Sequence, residues 1–209
     1  MSRWTSPLTL LMLVGLAFCH QTEARPSSSA SASTTPPPVS QAVYVDSVVS
    51  RAEALRSFRA DLRERPAALD GDYTSRETLV RRFVHVVEQD DTLGLVALVI
   101  TRAEFAYLYY PSNPASRPPY DLAPGLMWFQ LQESNRKSVL ALLRERGGAP
   151  LGYVGHDCSR SQHQGVNTIW SECELLRRAP GGETRRERLF GTIIEREGRY
   201  KFVGLGNEL

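Results

Sequence analysis

Few side chains of this sequence combine the types and neighbours that chemistry requires. His156 and Asp157 are adjacent, with Cys158 next. A histidine beside a carboxylate is a candidate general base, and Glu104 or a tyrosine would serve as its acid partner. Adjacent strand residues point to opposite faces, so adjacency alone does not make His156 and Asp157 a pair. A metal would have to draw on His156, Asp157 and His163, whose spacing matches no tight ligand set, so neither metal nor other cofactor is expected. His85 lies beside an apolar helical stripe, the place of a structural histidine. There is no Gly-x-Ser-x-Gly elbow, no P-loop and no Gly-x-Gly-x-x-Gly after a strand. Serine-hydrolase and nucleotide chemistry therefore lack their motifs.

The densest chemical feature is the stretch 101–129, with Phe105, Tyr107, Tyr109, Tyr110, Tyr120, Trp128 and Phe129 around a proline-rich loop. Tyr107, Tyr110, Tyr120 and Trp128 are the candidate ligand-binding set, since such rings give apolar walls with polar tips. The competing reading is core packing, with the hydroxyls bonded to backbone. Arg177, Arg178, Arg185, Arg186 and Arg188 form a second candidate, a basic hairpin tip for anionic partners. Glu183 and Glu187 interrupt it, as on a solvated face.

The elements that must position these residues fall into two halves. Residues 41–65 read as a first helix, with Val45, Val48, Val49, Ala52, Leu55, Phe58 and Leu62 at helical spacing. Thr74 and Glu77 fit a capping box that opens a helix through Val87, and Thr101 and Glu104 fit another that opens the aromatic helix. Pro111 ends that helix. Pro124 opens a longer one, which Gly147-Gly148 closes. From Pro150 the pattern changes to strands: 151–156, 166–176, 186–196 and 199–205, with Glu197-Gly198 as a tight hairpin. Helices followed by an antiparallel meander predict an α+β domain, helices packed on a curved sheet of about four strands.

Leu8 to Phe18 is apolar and follows Arg3, the pattern of an export signal in residues 1–24. Cleavage after Cys19 or after Ala24 fits, and so does lipidation of Cys19 through the imperfect box Leu16-Ala17-Phe18-Cys19, where Phe18 is bulky. Residues 25–40 are dominated by Ser, Ala, Thr and Pro, a flexible linker or a membrane tether. The single domain would then span 41–209. Export leaves Cys158 and Cys173 to pair in an oxidising compartment, closing a loop of about 15 residues worth ~3 kcal/mol.

The net charge of +2 includes Arg3, so the exported form is near neutral. That argues against bulk capture of nucleic acid. The organisation from about residue 41 to 209 resembles the nuclear-transport-factor-2-like cone, which ketosteroid isomerase-like and polyketide cyclase-like proteins share. The resemblance is topological, and no catalytic motif of that family maps onto these residues. It implies a pocket between helices and sheet. Three functions follow as expectations. The first is non-enzymatic binding of a small apolar or amphipathic ligand by an envelope protein. The second is acid/base catalysis through His156. The third is a tethered interaction module, suggested by Leu189, Phe190, Ile193 and Ile194 on both faces of one strand.

Overall fold

The first helix, α1 (Arg51–Arg59), starts where the Ser50 hydroxyl accepts from the Glu53 amide at 3.2 Å. The structure is a computed structural model, and it describes residues 49–206. The leader with Cys19, the linker 25–40 and residues 41–48 lie outside the described residues. The helix stops at Arg59, not at Arg65 as its apolar spacing suggested. Its last turn is tied to another segment. Arg102 donates to the Phe58 carbonyl at 3.3 Å, and Arg59 donates to the Ala106 carbonyl at 2.6 Å.

The second helix, α2 (Arg76–Glu88), is capped one residue later than expected. Ser75 Oγ accepts from the Thr78 amide at 3.1 Å, and Thr78 Oγ1 accepts from the Ser75 amide at 3.2 Å. A hydroxyl at N3 does the work assigned to Glu77, and the Glu77 carboxylate is left for other partners. Leu79, Val80, Phe83, Val84, Val86 and Val87 form the buried stripe of α2. Phe83 packs edge-on against Phe190 at 5.3 Å and tilted against Phe202 at 5.6 Å, the centre of the core between α2 and the sheet.

A short α3 (Thr92–Ala97) follows, capped by Asp91. The Thr101–Glu104 capping box forms as expected and opens α4 (Arg102–Glu104). The chain then widens into a π-helical turn over Phe105–Tyr109 and tightens into a 3-10 turn over Tyr110–Ser112. A segment apolar on every side is buried on every side, and Phe105, Ala106, Leu108, Tyr109 and Tyr110 all are. After the proline loop, α5 (Pro124–Arg146) runs for 23 residues. Asn135, buried midway along it, donates to the Val203 carbonyl at 3.4 Å and accepts from the Leu205 amide at 2.8 Å. These bonds anchor α5 to the end of the sheet.

The sheet has five antiparallel strands and does not close. Its long members are β1 (Tyr153–Gln164) and β2 (Asn167–Arg178), paired along their length. Expected to end near His156, β1 instead continues to Gln164. The polar run 159–164 lacks alternation because it belongs to an edge strand with both faces wet. Gly165 has φ +66 and Val166 does not enter the left-handed region, the pattern of a II′ hairpin. The expected third strand is split into β3 (Thr184–Glu187) and β4 (Ile193–Arg196), beside opposite halves of β2. The interruption falls where Gly191 approaches the strand end. A Cβ there would lie 2.7 Å from the Gly204 carbonyl oxygen. Glu197 and Gly198, at φ 52 and 75, make the I′ turn into β5 (Arg199–Phe202).

The two sheet edges differ. The β5 edge is covered: Phe202 donates to the Leu98 carbonyl at 3.0 Å, Ile100 donates to Phe202 at 2.9 Å, and Tyr200 donates to Tyr73 at 2.9 Å. No described strand covers the outer edge of β1. Cys158 and Cys173 stand directly opposite in the β1–β2 register and are joined as a disulfide. None of the described helices is long and apolar enough to cross a membrane.

Candidate functional site

An open groove of about 590 Å³ runs between α3, the segment 99–102 and α5. Val96, Val99, Ile100, Trp128, Val139 and Leu140 supply its apolar walls. The sequence puts them there in two ways. Val99 and Ile100 are buried because they extend along β5, and Val139 belongs to the core-facing side of α5. Val96 and Leu140 are more than half exposed and meet no core. They widen the apolar strip outward from the fold. Trp128 sits at one end, its ring 5.2 Å from Phe105, so it is fixed from behind.

The rim is polar. Glu133 pairs with Arg136 at 3.0 Å, and Arg102 pairs with Asp61 at 2.8 Å. Asp61 is held below its ordinary carboxylate range by its hydrogen bond from Arg102, and Glu133 is held below its own by Arg136. Both carboxylates are fully ionised near neutrality. The groove thus offers an apolar floor with charged groups of both signs at its margin, the layout that seats an amphipathic molecule.

The four aromatic residues expected to form a pocket have separate fates. Tyr110 is buried, and its hydroxyl donates to the Leu122 carbonyl at 2.9 Å. Tyr107 lies under Arg59, whose guanidinium carbon is 4.2 Å from the ring centre. Tyr120 is 72% exposed in the proline loop. Of the four, only Trp128 lines the groove. The sequence reasoning missed Val96 and Leu140. A usable signal was present in α5, where Leu126, Phe129 and Leu140 do not share the stripe of Val139 and Leu142 and are left exposed.

His156 is in a different place. Its side chain is 7% exposed, and Nδ1 lies 3.1 Å from the Tyr153 hydroxyl and 3.3 Å from Glu77 Oε2. The Tyr153 hydroxyl donates to the same Glu77 oxygen at 2.9 Å. With that proton committed, the phenol oxygen accepts from Nδ1–H, which leaves Nε2 unprotonated in the neutral ring. Burial pushes His156 below its usual pKa, helped by Arg76 and opposed by Glu77 and Asp157. Tyr153 is pushed up by burial and by its bond to Glu77.

Glu104, weighed as the acid partner of His156, is committed elsewhere. Its carboxylate accepts from the Thr101 and Asp70 amides, each at 2.6 Å, and from Lys201 at 2.9 Å. Asp157 faces Arg186 at 3.6 Å, and His163 contacts Thr168 at 3.3 Å. Among the described residues, no three His, Cys, Asp or Glu side chains group as metal ligands would. None of the three described cavities includes His156. The trio of Glu77, Tyr153 and His156 joins the first turn of α2 to β1.

The remaining candidates resolve simply. Arg185 pairs with Glu183, Arg186 with Glu174, and Arg177 with Glu187, so these basic side chains of the hairpin are neutralised locally. Leu189, Phe190, Ile193 and Ile194 are all at most 1% exposed, covered by their own chain. The chain matches no protein-family model, no curated protein and no solved structure.

Proposed function

We propose that this protein is an exported, non-enzymatic binding domain for a small amphipathic ligand. The apolar part of the ligand lies in the groove between α3 and α5, and its head group lies at the Arg102, Glu133 and Arg136 rim. One observation carries the reading: an apolar strip continues from the buried Val99 and Val139 out to the exposed Val96 and Leu140, with Trp128 at its end. Exposed apolar surface inside a concavity with a polar margin favours a ligand over packing.

The compartment fits this reading. The Cys158–Cys173 disulfide belongs to an oxidising environment, which agrees with the apolar leader 8–18. The linker 25–40, with or without a lipid on Cys19, would keep the groove at the envelope surface, where amphipathic molecules are met.

The test is titration of the oxidised protein with 1-anilinonaphthalene-8-sulfonate, followed by displacement with dodecanoate. Saturable fluorescence enhancement that dodecanoate reverses is expected. Val96→Glu and Leu140→Glu each place a charge on an exposed position, so the fold survives while binding falls at least about tenfold. Binding that both variants leave unchanged would remove the groove from the function.

A further inference from the structure

The face of α5 that turns away from the core carries a pattern of its own. Leu126, Phe129, Glu133, Arg136, Leu140 and Leu143 follow one another in alternating steps of three and four residues. They form one stripe, turned roughly 140° around the helix from the buried Asn135, Ser138, Val139 and Leu142. Such alternation is the seam of a coiled coil. The seam is open: Leu126 is 49%, Phe129 62% and Leu140 58% exposed, and Leu143 is half-buried. On α3, Val96 lines the same groove as Leu140, and both it and Leu93, one turn earlier, are exposed. The apolar surface therefore widens at the Leu140 end.

The seam is complementary to its own reverse. From its amino end it runs apolar, apolar, acid, base, apolar, apolar. A second α5 laid antiparallel on the first brings Glu133 to Arg136 of the other copy, Phe129 to Leu140 and Leu126 to Leu143. Each contact is then made twice about a two-fold axis. Parallel pairing sets Glu133 against Glu133 and Arg136 against Arg136. Sliding the antiparallel pair by one heptad in either direction sets both charges against apolar side chains. One register satisfies all six positions, and the central charges select it. Within each helix Glu133 and Arg136 are 3.0 Å apart, so four charges of alternating sign meet at the axis. A lipid surface suits this stripe less, because an interfacial helix keeps its charges off the apolar face and here they stand in its middle.

We propose that this face binds a second copy of the chain, with α5 paired antiparallel to α5 of the other copy about a two-fold axis at Glu133 and Arg136. The seam is about 26 Å long, which is short for a permanent interface, so the dimer is reversible. It does not rest on the ligand reading, since Leu126 and Phe129 are not groove residues.

Sedimentation equilibrium of the oxidised protein from about 1 to about 300 µM tests this, and a reversible monomer–dimer equilibrium is expected. Phe129→Glu should weaken the dimer at least about tenfold. Phe129 is exposed in the single chain, so the variant keeps its fold, which an unchanged melting temperature at a monomeric concentration verifies. Glu133→Arg and Arg136→Glu should each be monomeric, because each gathers like charges at the axis. Mixed in equal amounts, these two variants should form a heterodimer, because every charge then meets its opposite. A chain monomeric at all concentrations, a dimer that Phe129→Glu leaves as tight as before, or a mixture of the charge variants that stays monomeric would each overturn the proposal. So would a monomer that floats with phosphatidylglycerol vesicles, which would assign the stripe to a lipid surface. Phe129→Glu should still bind dodecanoate, so loss of the dimer and loss of the ligand groove are read separately.

Discussion

Lys201 on β5 and Glu104 at the start of the aromatic segment meet at 2.9 Å, with their side chains only 3% and 2% exposed. The pair joins three parts of the fold, because Glu104 also holds the Thr101 and Asp70 amides. Removing one partner leaves a buried charge without its counterion. Lys201→Met should therefore cost about 3–5 kcal/mol in urea unfolding. Adding Glu104→Gln to it should recover part of that loss by removing the charge. Recovery cannot be complete, since the amide nitrogen of glutamine does not accept from a backbone N–H. If Lys201→Met alone costs less than about 1 kcal/mol, the pair is not the anchor described here.

The disulfide gives a second prediction. Cys158, on the edge strand β1 whose outer side is unpaired among the described strands, stands opposite Cys173 on β2. Replacing both by serine should cost about 2–4 kcal/mol, near the value for closing a loop of about 15 residues. The loss should appear locally as well. Amide exchange in β1 should accelerate more than exchange in α2, because the buried stripe of α2 does not depend on the bridge. Uniform acceleration across the chain would instead place the effect on global stability alone.

Gly191 offers a sharper contrast. A methyl group there meets backbone atoms, 2.7 Å from the Gly204 oxygen and 3.0 Å from the Gly206 nitrogen, and these cannot rotate away. Gly191→Ala should destabilise by about 1–3 kcal/mol as the strand end shifts. Gly206→Ala is the control, for a Cβ there has open space. Thermal unfolding of the two variants checks the pair. Equal melting temperatures would mean that the close approach carries no energetic weight.

The order of helices and strands was legible because the periodicities of its two halves differ and glycine and proline mark the joints. Local contests were not. Both Thr74–Glu77 and Ser75–Thr78 can cap α2, and the choice depends on Glu77 being drawn to Arg81 at 2.6 Å and to Tyr153 at 2.9 Å. Arg81 is one turn along the same helix, but Tyr153 lies on β1 and meets Glu77 only in the folded chain. The end of α1 has the same character, set by Arg102 on the Phe58 carbonyl. The aromatic stretch was legible as buried, but the π-helical turn over Phe105–Tyr109 redistributes its rings so that Tyr107 and Tyr110 do not share a wall with Trp128. The groove draws on α3 and α5, whose exposed apolar positions become a site only when the two helices are adjacent.

The Glu77–Tyr153–His156 trio predicts a pH dependence. His156 is held neutral by burial first and by Arg76 second, with Glu77 and Asp157 acting the other way. Arg81 also faces the trio, through Glu77 at 2.6 Å and over the Tyr153 ring at 5.1 Å. A folded pKa below the unfolded value of about 6.5 means that the unfolded chain takes up a proton before the folded one. The stabilisation is then full above about pH 6.5 and is lost as the pH falls from there through the lowered folded value. Unfolding free energies of the oxidised protein should decline over that window, and His156→Asn should remove His156's share of the decline. Asparagine places an amide donor near the position of Nδ1, so the bond to Tyr153 is retained while the titration is lost. An identical slope in the variant would assign the acid sensitivity to another group.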